Sequence, residues 1–233
     1  HGWQVQKSGL RTVQSVVESA LSQVANHPVR VFCSGRTDSG VHAVEQVIHF
    51  ETDTIRTDRA WLFGGNVNLP SDVNFKWVKF VSDDFHARFS AIARSYKYKI
   101  HHHPVRSSLK ADYYLWEPRP LNVKDMKAAA DMLIGEHDFS CFRGSLCQAK
   151  SPIKTIEYIK IESSKDDLII SIKANAFLHH MVRNIVGTLL KIGRGEKNVE
   201  WMSSVLASKD RRVAGPTAEP QGLYFIKAFY EEI

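Results

Sequence analysis

Residues 153–193 read IKTIEYIKIE SSKDD LIISIKANA FLHHMVRNIVGTLLKIG. Ile153–Glu162 and Leu168–Ala176 alternate apolar and polar residues, the two-residue period of a half-buried strand. Ser163–Asp167 is all polar and reads as the turn between them. From Phe177 to Ile192 the period changes to that of a helix. Leu178, Met181, Val182, Ile185, Val186, Leu189 and Leu190 make one stripe, with His180, Arg183, Asn184, Gly187 and Lys191 opposite. Gly193 and Gly195 end the helix. Two strands joined by a short turn and followed by a helix predict an α+β fold with antiparallel pairing, not a doubly wound parallel sheet.

Working outward, Asn122–Ile134 reads as a helix ahead of this unit, with a helix over Asn198–Ala207 and a strand over Leu223–Tyr230 behind it. The first part of the chain has a similar order. Thr12–Asn26 is an amphipathic helix with Thr12 as its cap and Pro28 just beyond its end. Strands are expected over Val29–Ser34, Val44–Glu51, Asn74–Val81 and Ala91–His102, and a helix over Thr57–Asn66. Each part thus follows the helix–strand–strand–helix–strand order of a ferredoxin-like unit, the first without an opening strand. The expected division is 1–104 and 105–233, placed at the Pro104 to Ser108 connection. His101, His102 and His103 read as a polar loop touching RNA.

The chain has 233 residues, with 31 Lys and Arg against 25 Asp and Glu, a net charge of +6. A hydrophobic share of 43% excludes a disordered or collagen-like chain. The apolar runs are short and interrupted, so no membrane span is expected. His1–Gln4 lacks the basic and apolar regions of a signal peptide. Cys33, Cys141 and Cys147 are too few and too odd in number for a disulfide framework, which points to a reducing compartment, most simply the cytoplasm. The positive charge is clustered. Residues 140–156 and 173–195 carry no acid at all, and residues 84–120 hold seven Lys and Arg against three acids. Such clustering suits a trough facing an anionic polymer.

The loop Gly35-Arg36-Thr37-Asp38-Ser39-Gly40 lies between two expected strands. By itself it is an ordinary turn. It has neither the Lys-Ser/Thr ending of a phosphate-binding loop nor a dinucleotide fingerprint. In longer context, Ser34–Ala43 followed by Gln46-Val47 and His49-Phe50 resembles the catalytic motif of the tRNA pseudouridine synthase A family. The resemblance continues in order through His1–Gln4, Arg11–Gln14, Phe85–Ala91, Arg94–Tyr98, Gly135–Ser140, Lys150–Pro152, Phe177–Asn184 and Gln221–Leu223, so it covers essentially the whole chain.

The resemblance implies the pseudouridine synthase fold, in which two ferredoxin-like halves join into one larger mixed sheet. It implies isomerisation of uridine to pseudouridine in the tRNA anticodon stem-loop, at positions about 38 to 40, with the base taken out of the stack. The reaction breaks a glycosidic bond and joins C5 to C1′ of the same ribose, with no cofactor or metal. Asp38 matches the essential carboxylate, whether as a nucleophile toward ribose C1′ or uracil C6 or in assisting loss of the base through a glycal. Burial disfavours a charged carboxylate, so a cation must stand near it, and Arg183 matches that partner. Arg36 matches a residue that holds the gap left by the flipped nucleotide. Tyr96 matches an active-site tyrosine that stacks on uracil and whose hydroxyl is placed to move the C5 proton, and Leu223 lines the uracil pocket. A homodimer with tRNA touching both subunits is implied as well.

From the basic segments, Arg88, Arg106, Arg143 and Lys150 are candidate phosphate contacts. Asp83-Asp84 are neighbours on an extended chain and do not converge as a glycosidase pair. Cys141 and Cys147 lack a second pair for zinc, and His179-His180 lacks the spacing of a helical metal site; both histidines are expected to be structural or to face RNA. Two other classes fit less of the chain. A non-catalytic RNA-binding protein has no need for Arg36, Asp38, Tyr96 and Arg183 together. A nucleoside or glycoside hydrolase needs a second convergent carboxylate.

Overall fold

The structure is a computed structural model, and it describes residues 1–6 and 9–231. Its elements, in chain order, are α1 (Val13–Ala25), β1 (Phe32–Cys33), β2 (His42–Ala43), β3 (Ile48–His49), α2 (Asp58–Asn68), β4 (Ala93–His102), β5 (Leu115–Glu117), α3 (Val123–Asp131), β6 (Gly135–Asp138), β7 (Ile153–Ser163), β8 (Asp167–Ala174), α4 (Met181–Gly193), α5 (Trp201–Ser208) and β9 (Leu223–Phe229). The α+β expectation holds, with a mixed sheet as its centre. Six of its seven strands run in the order β2-β9-β4-β8-β7-β6, and the seventh, β5, adds to β4. Strand β4 is the axis. It pairs antiparallel with β8 along eight residue pairs, from Arg94 opposite Ala174 to His101 opposite Asp167. On its other edge it meets β9 antiparallel and then β5 parallel. The link from β2 to β9 is parallel, so loop 35–40 feeds straight into the main sheet.

The hairpin β7–β8 and helix α4 form as the quoted run predicts. Ile156, Ile159, Ile161, Leu168, Ile170 and Ile172 turn to one buried cluster with Met126, Ala129 and Ala130 of α3 and the stripe of α4. A second cluster joins Trp3, Val17, Leu21, Ala25, Val29, Val31, Cys33 and Trp61, and packs α1 against α2 and the small β1–β3 pair. Full burial of such side chains contributes roughly 1.5–3 kcal/mol each. Thr12 caps α1 and accepts from the Ser15 amide, as its position suggested. None of the helices among the described residues is long and apolar enough to cross a membrane.

Several expectations are corrected. Residues 74–81 form no strand. Asn66 takes both backbone groups of Phe75 with its side chain, donating to the carbonyl at 3.0 Å and accepting from the amide at 2.8 Å. The aromatic Phe75 then packs on the second cluster without a ladder partner. The expected strands over Val29–Ser34 and Val44–Glu51 shrink to the two-residue pair β1–β3. Helix α4 starts at Met181, not Phe177, and His180 before it is left-handed, with φ of 62°. Nor is α4 polar on one side: Asn184, Gly187 and Thr188 are all buried. A side chain at Gly187 would place its Cβ 1.7 Å from the Pro216 carbonyl oxygen, so only glycine lets the 214–218 segment lie against the helix backbone. His101 is not a loop residue. It lies within β4, one residue before its end, is buried, and its Nδ1 lies 3.1 Å from Asp167 Oδ1, which Lys110 also holds.

Strand β5 and the C-terminal end of α4 are tied by a buried acid. Glu117 is 2% exposed and accepts from Arg194 Nε at 2.9 Å and from Arg119 Nε at 2.9 Å. Burial alone would push its carboxyl up, but the two guanidinium groups more than reverse that and hold it below its ordinary value. A folded-state value below the unfolded one adds stability that is complete above the unfolded value and lost as pH falls through the folded one. Glu117→Gln should therefore cost about 3 kcal/mol at neutral pH, because it leaves the largely buried Arg194 with only Glu196, 3.7 Å away, as an ion partner among the described residues. In urea titrations the gap between the two proteins should stay flat above about pH 5 and shrink below about pH 4, around the ordinary glutamate range. A gap that widens in acid would show that Glu117 is not the ionised partner.

Candidate active site

Loop 35–40 has little regular structure, and its place is fixed by contacts from three sides. The Ser34 amide donates to the Val47 carbonyl at 2.9 Å, and the Trp3 amide to the Thr37 carbonyl at 3.0 Å. Gln46 accepts from the Gly35 amide at 3.2 Å and donates back to the Gly35 carbonyl. The Asp38 carbonyl accepts from the Val41 amide at 3.2 Å, which closes the turn. The Asp38 side chain then points toward the start of α4.

Arg183 stands in the first turn of α4, held at both ends of its own residue. Its Nε donates to the Ala218 carbonyl at 2.7 Å, and its carbonyl accepts from the Ala218 amide at 3.1 Å. This leaves Nη1 to donate to Asp38 Oδ2 at 3.0 Å. The pair is shielded, with Arg183 13% and Asp38 32% exposed. Burial at this level strengthens the attraction over its value in water.

Two histidines complete the surroundings of Asp38. His180 Nε2 lies 3.1 Å from Oδ2 and His179 Nε2 lies 3.4 Å from Oδ1. Their rings stack with centroids 3.7 Å apart. Burial lowers the His180 imidazole from its ordinary value; Asp38 pulls it back up while His179 and Arg183 push it further down. A neutral ring near pH 7 follows, with its Nε2 facing the carboxylate. Sequence reasoning expected these residues to be structural or RNA-facing, with His180 on the polar face of a helix. The structure puts both before the helix and against Asp38. The local signal was their closeness to Arg183 in an acid-free stretch.

Tyr96 lies on β4 with its ring edge-on to Phe177 at 4.9 Å and to Phe225 at 5.2 Å. Its hydroxyl is next to the start of the loop: a Cβ on Gly35 would come within 3.7 Å of it. Burial pushes this hydroxyl well above its ordinary value, Arg94 opposes that, and Asp38 adds to it. Tyr96 is therefore a neutral phenol that keeps its proton. Phe225 is the β9 residue beside Tyr96. Leu223 lies opposite Tyr98 and packs in the main cluster. Tyr98 is fully buried, as its packing role predicts, and donates to the Glu219 carbonyl at 2.6 Å.

The basic candidates divide. Arg36, Arg88, Arg106 and Lys150 are exposed. Arg143 is committed internally, donating through Nη2 to the carbonyls of Cys147 at 3.0 Å and Ala149 at 2.9 Å. Cys33, Cys141 and Cys147 are all free. Asp38, His179 and His180 bring three ligand atoms within 4.8 Å of one another. The guanidinium of Arg183 already neutralises that carboxylate, so the group is built to keep an anion rather than to attract a cation. What it offers chemically is an anchored carboxylate beside a neutral phenol and aromatic walls.

The sequence profile of the family described as tRNA pseudouridine synthase matches residues 2–90 and 129–231. The chain is 52% identical to a tRNA pseudouridine synthase A of Coxiella burnetii, over 99% of this chain and 88% of that protein. It is 50% identical to one of Alcanivorax borkumensis, over 100% of this chain and 87% of that protein. It is 48% identical to one of Pseudomonas aeruginosa, over 98% of this chain and 80% of that protein. Matches at this identity span the loop with Asp38, strand β4 with Tyr96 and helix α4 with Arg183, and they make the chain a member of the tRNA pseudouridine synthase A family, isomerases that convert uridine to pseudouridine in tRNA.

Proposed function

We propose that this enzyme acts on uridines of the anticodon stem-loop, at positions about 38 to 40, through Asp38 and without a cofactor. The observation that carries the reading is the 3.0 Å pair between Asp38 and Arg183, residues 145 apart in sequence. Arg183 anchors the carboxylate and balances its charge in a half-buried site. Asp38 then acts on the ribose or the uracil, or assists departure of the base. The N1–C1′ bond breaks, the uracil turns, and C5 bonds to C1′. One proton leaves C5 and one joins N1, so atoms and electrons balance without an external oxidant or reductant.

Tyr96 stacks on the flipped uracil and, as a neutral phenol, offers its hydroxyl as a hydrogen-bond donor to the base. Arg36 occupies the gap left in the RNA, and Leu223 backs the base pocket through its neighbours. Arg88, Arg106 and Lys150 are free to meet phosphates; Arg143 shapes the 143–149 loop instead. The reading also carries the two ferredoxin-like halves 1–104 and 105–233, with Asp38 from the first and Arg183 from the second. It further carries a homodimer that shares the tRNA, and a cytoplasmic location.

Purified enzyme with undermodified tRNA should release tritium from uridine labelled at C5 with no metal added. Asp38→Ala should abolish release while tRNA affinity stays within a small factor of the parent. Turnover by that variant would remove Asp38 from the reaction. Chemical mapping of the product tRNA would place pseudouridine in the anticodon arm; modification elsewhere would refute the site range.

Affinity for tRNA should also depend steeply on salt, because each phosphate contact displaces counterions. Three contacts imply a loss on the order of 40-fold between 50 and 200 mM salt. A flat response would count against a phosphate-tracking surface.

A further inference from the structure

We propose that His180 is a positioning residue for Asp38: with Arg183 it clamps Oδ2, so that Oδ1 is the oxygen turned to the substrate. This rests on the assignment of Asp38 as the essential carboxylate and adds to it a second holder. The two carboxylate oxygens are treated unequally. Oδ2 accepts from Arg183 Nη1 at 3.0 Å and has His180 Nε2 3.1 Å away. Oδ1 has, among the described residues, His179 Nε2 at 3.4 Å as its nearest such nitrogen. Two nitrogens against one oxygen limit both the place of the carboxylate and its rotation about Cβ–Cγ, which a single arginine does not.

The backbone of His180 shows that the contact is built. Its φ is 62° and its ψ is 2°, a left-handed conformation that non-glycine residues seldom hold. It stands at the N-cap position of α4, yet its side chain makes no capping hydrogen bond. The left-handed turn sends the imidazole away from the helix end and onto Asp38. Strain of this kind persists where the surroundings enforce it. Those surroundings are present. His179 stacks on the ring at 3.7 Å, and the Gly144 amide donates to the His179 carbonyl at 2.8 Å. A Cβ on Gly144 would come within 2.8 Å of His179 Nδ1 and 3.3 Å of His180 Nδ1, so a bare glycine backs both rings. His179 Nδ1 is buried without a hydrogen-bond partner among the described residues, which leaves its Nε2 side as the polar one. A packed pair of rings is thus pressed toward one carboxylate.

The test separates the donor from the backbone. Glycine tolerates the left-handed region and brings no donor, while glutamine places an amide N–H at the reach of the imidazole Nε2. His180→Gly should lower kcat roughly 10- to 100-fold, the cost of a carboxylate misplaced by about an ångström, with KM unchanged. His180→Gln should recover most of that loss. Parent-like kcat in His180→Gly would overturn the inference, as would His180→Gln no better than His180→Gly. A change confined to KM would overturn it too, because it would make His180 an RNA contact. Asp38→Ala, assayed alongside, keeps the two levels apart. If it is inactive while His180→Gly is fully active, only the positioning role fails. If it turns over, the assignment of Asp38 itself fails.

Discussion

The Asp38–Arg183 pair joins a loop that has almost no regular structure to a helix that is almost wholly buried. Everything that sets the distance between them runs through backbone contacts. Gly187 lets the 214–218 segment touch α4, and that approach puts the Ala218 carbonyl where Arg183 Nε meets it at 2.7 Å. With Nε committed, the guanidinium has one direction left for Nη1, and Asp38 stands there at 3.0 Å. On the other side, the parallel pairing of β2 with β9 ties the loop to the same sheet on which Tyr96 stands. The phenol and the carboxylate therefore share one rigid frame, although they come from distant parts of the chain.

The same constraint explains why the site needs so few charges. A carboxylate beside one guanidinium and one neutral imidazole leaves no second cation at the site to compete for phosphates. A neutral His180 matters here. Its Nε2 faces Oδ2 without adding net charge, so the local sum of Asp38 and Arg183 is zero. Tyr96, kept protonated by burial, adds none either. The surroundings of Asp38 are electrostatically quiet, while Arg36, Arg88, Arg106 and Lys150 carry exposed positive charge.

What was legible in the sequence follows from what is local. Thr12 and its helix, the alternation of β7 and β8, and the apolar stripe of α4 are each decided within a dozen residues, and each formed. The pairs β1–β3 and β2–β9 are two residues long, too short for any period to show. Residues 74–81 carry a strand's apolar pattern, but Asn66 consumes the Phe75 backbone groups a ladder would need. The helix boundary at Met181 was missed for a related reason. Leu178 continues the helical stripe, while Asn175 accepts from the amides of Thr155 and Ala176 and the left-handed His180 breaks the run. Apolar spacing describes burial, not backbone geometry. The residues Asp38, Arg183 and Tyr96 came from a family resemblance; the two histidines touching Asp38 had no such guide, because their role depends on a backbone turn that periodicity does not encode.

Net charge shows the same limit from the other direction. A surplus of +6 suggested an anionic partner, but the sign of a residue does not say whom it serves. Arg194 and Arg119 are spent on Glu117, and Arg211 on the carbonyl of Gly215 and the side chain of Asn184. Arg94 donates to the carbonyls of Ala91 and Asn175, and Arg143 to those of Cys147 and Ala149. A guanidinium that caps carbonyls is structural: its charge still adds to the field, but its donors are not free to fork onto a phosphate. The arginines that hold loops together and those that meet RNA look identical in composition. They differ only in whether the fold has already supplied their acceptors, and that difference makes Arg88 and Arg106 contact candidates while Arg143 is a scaffold for the segment that backs His179 and His180.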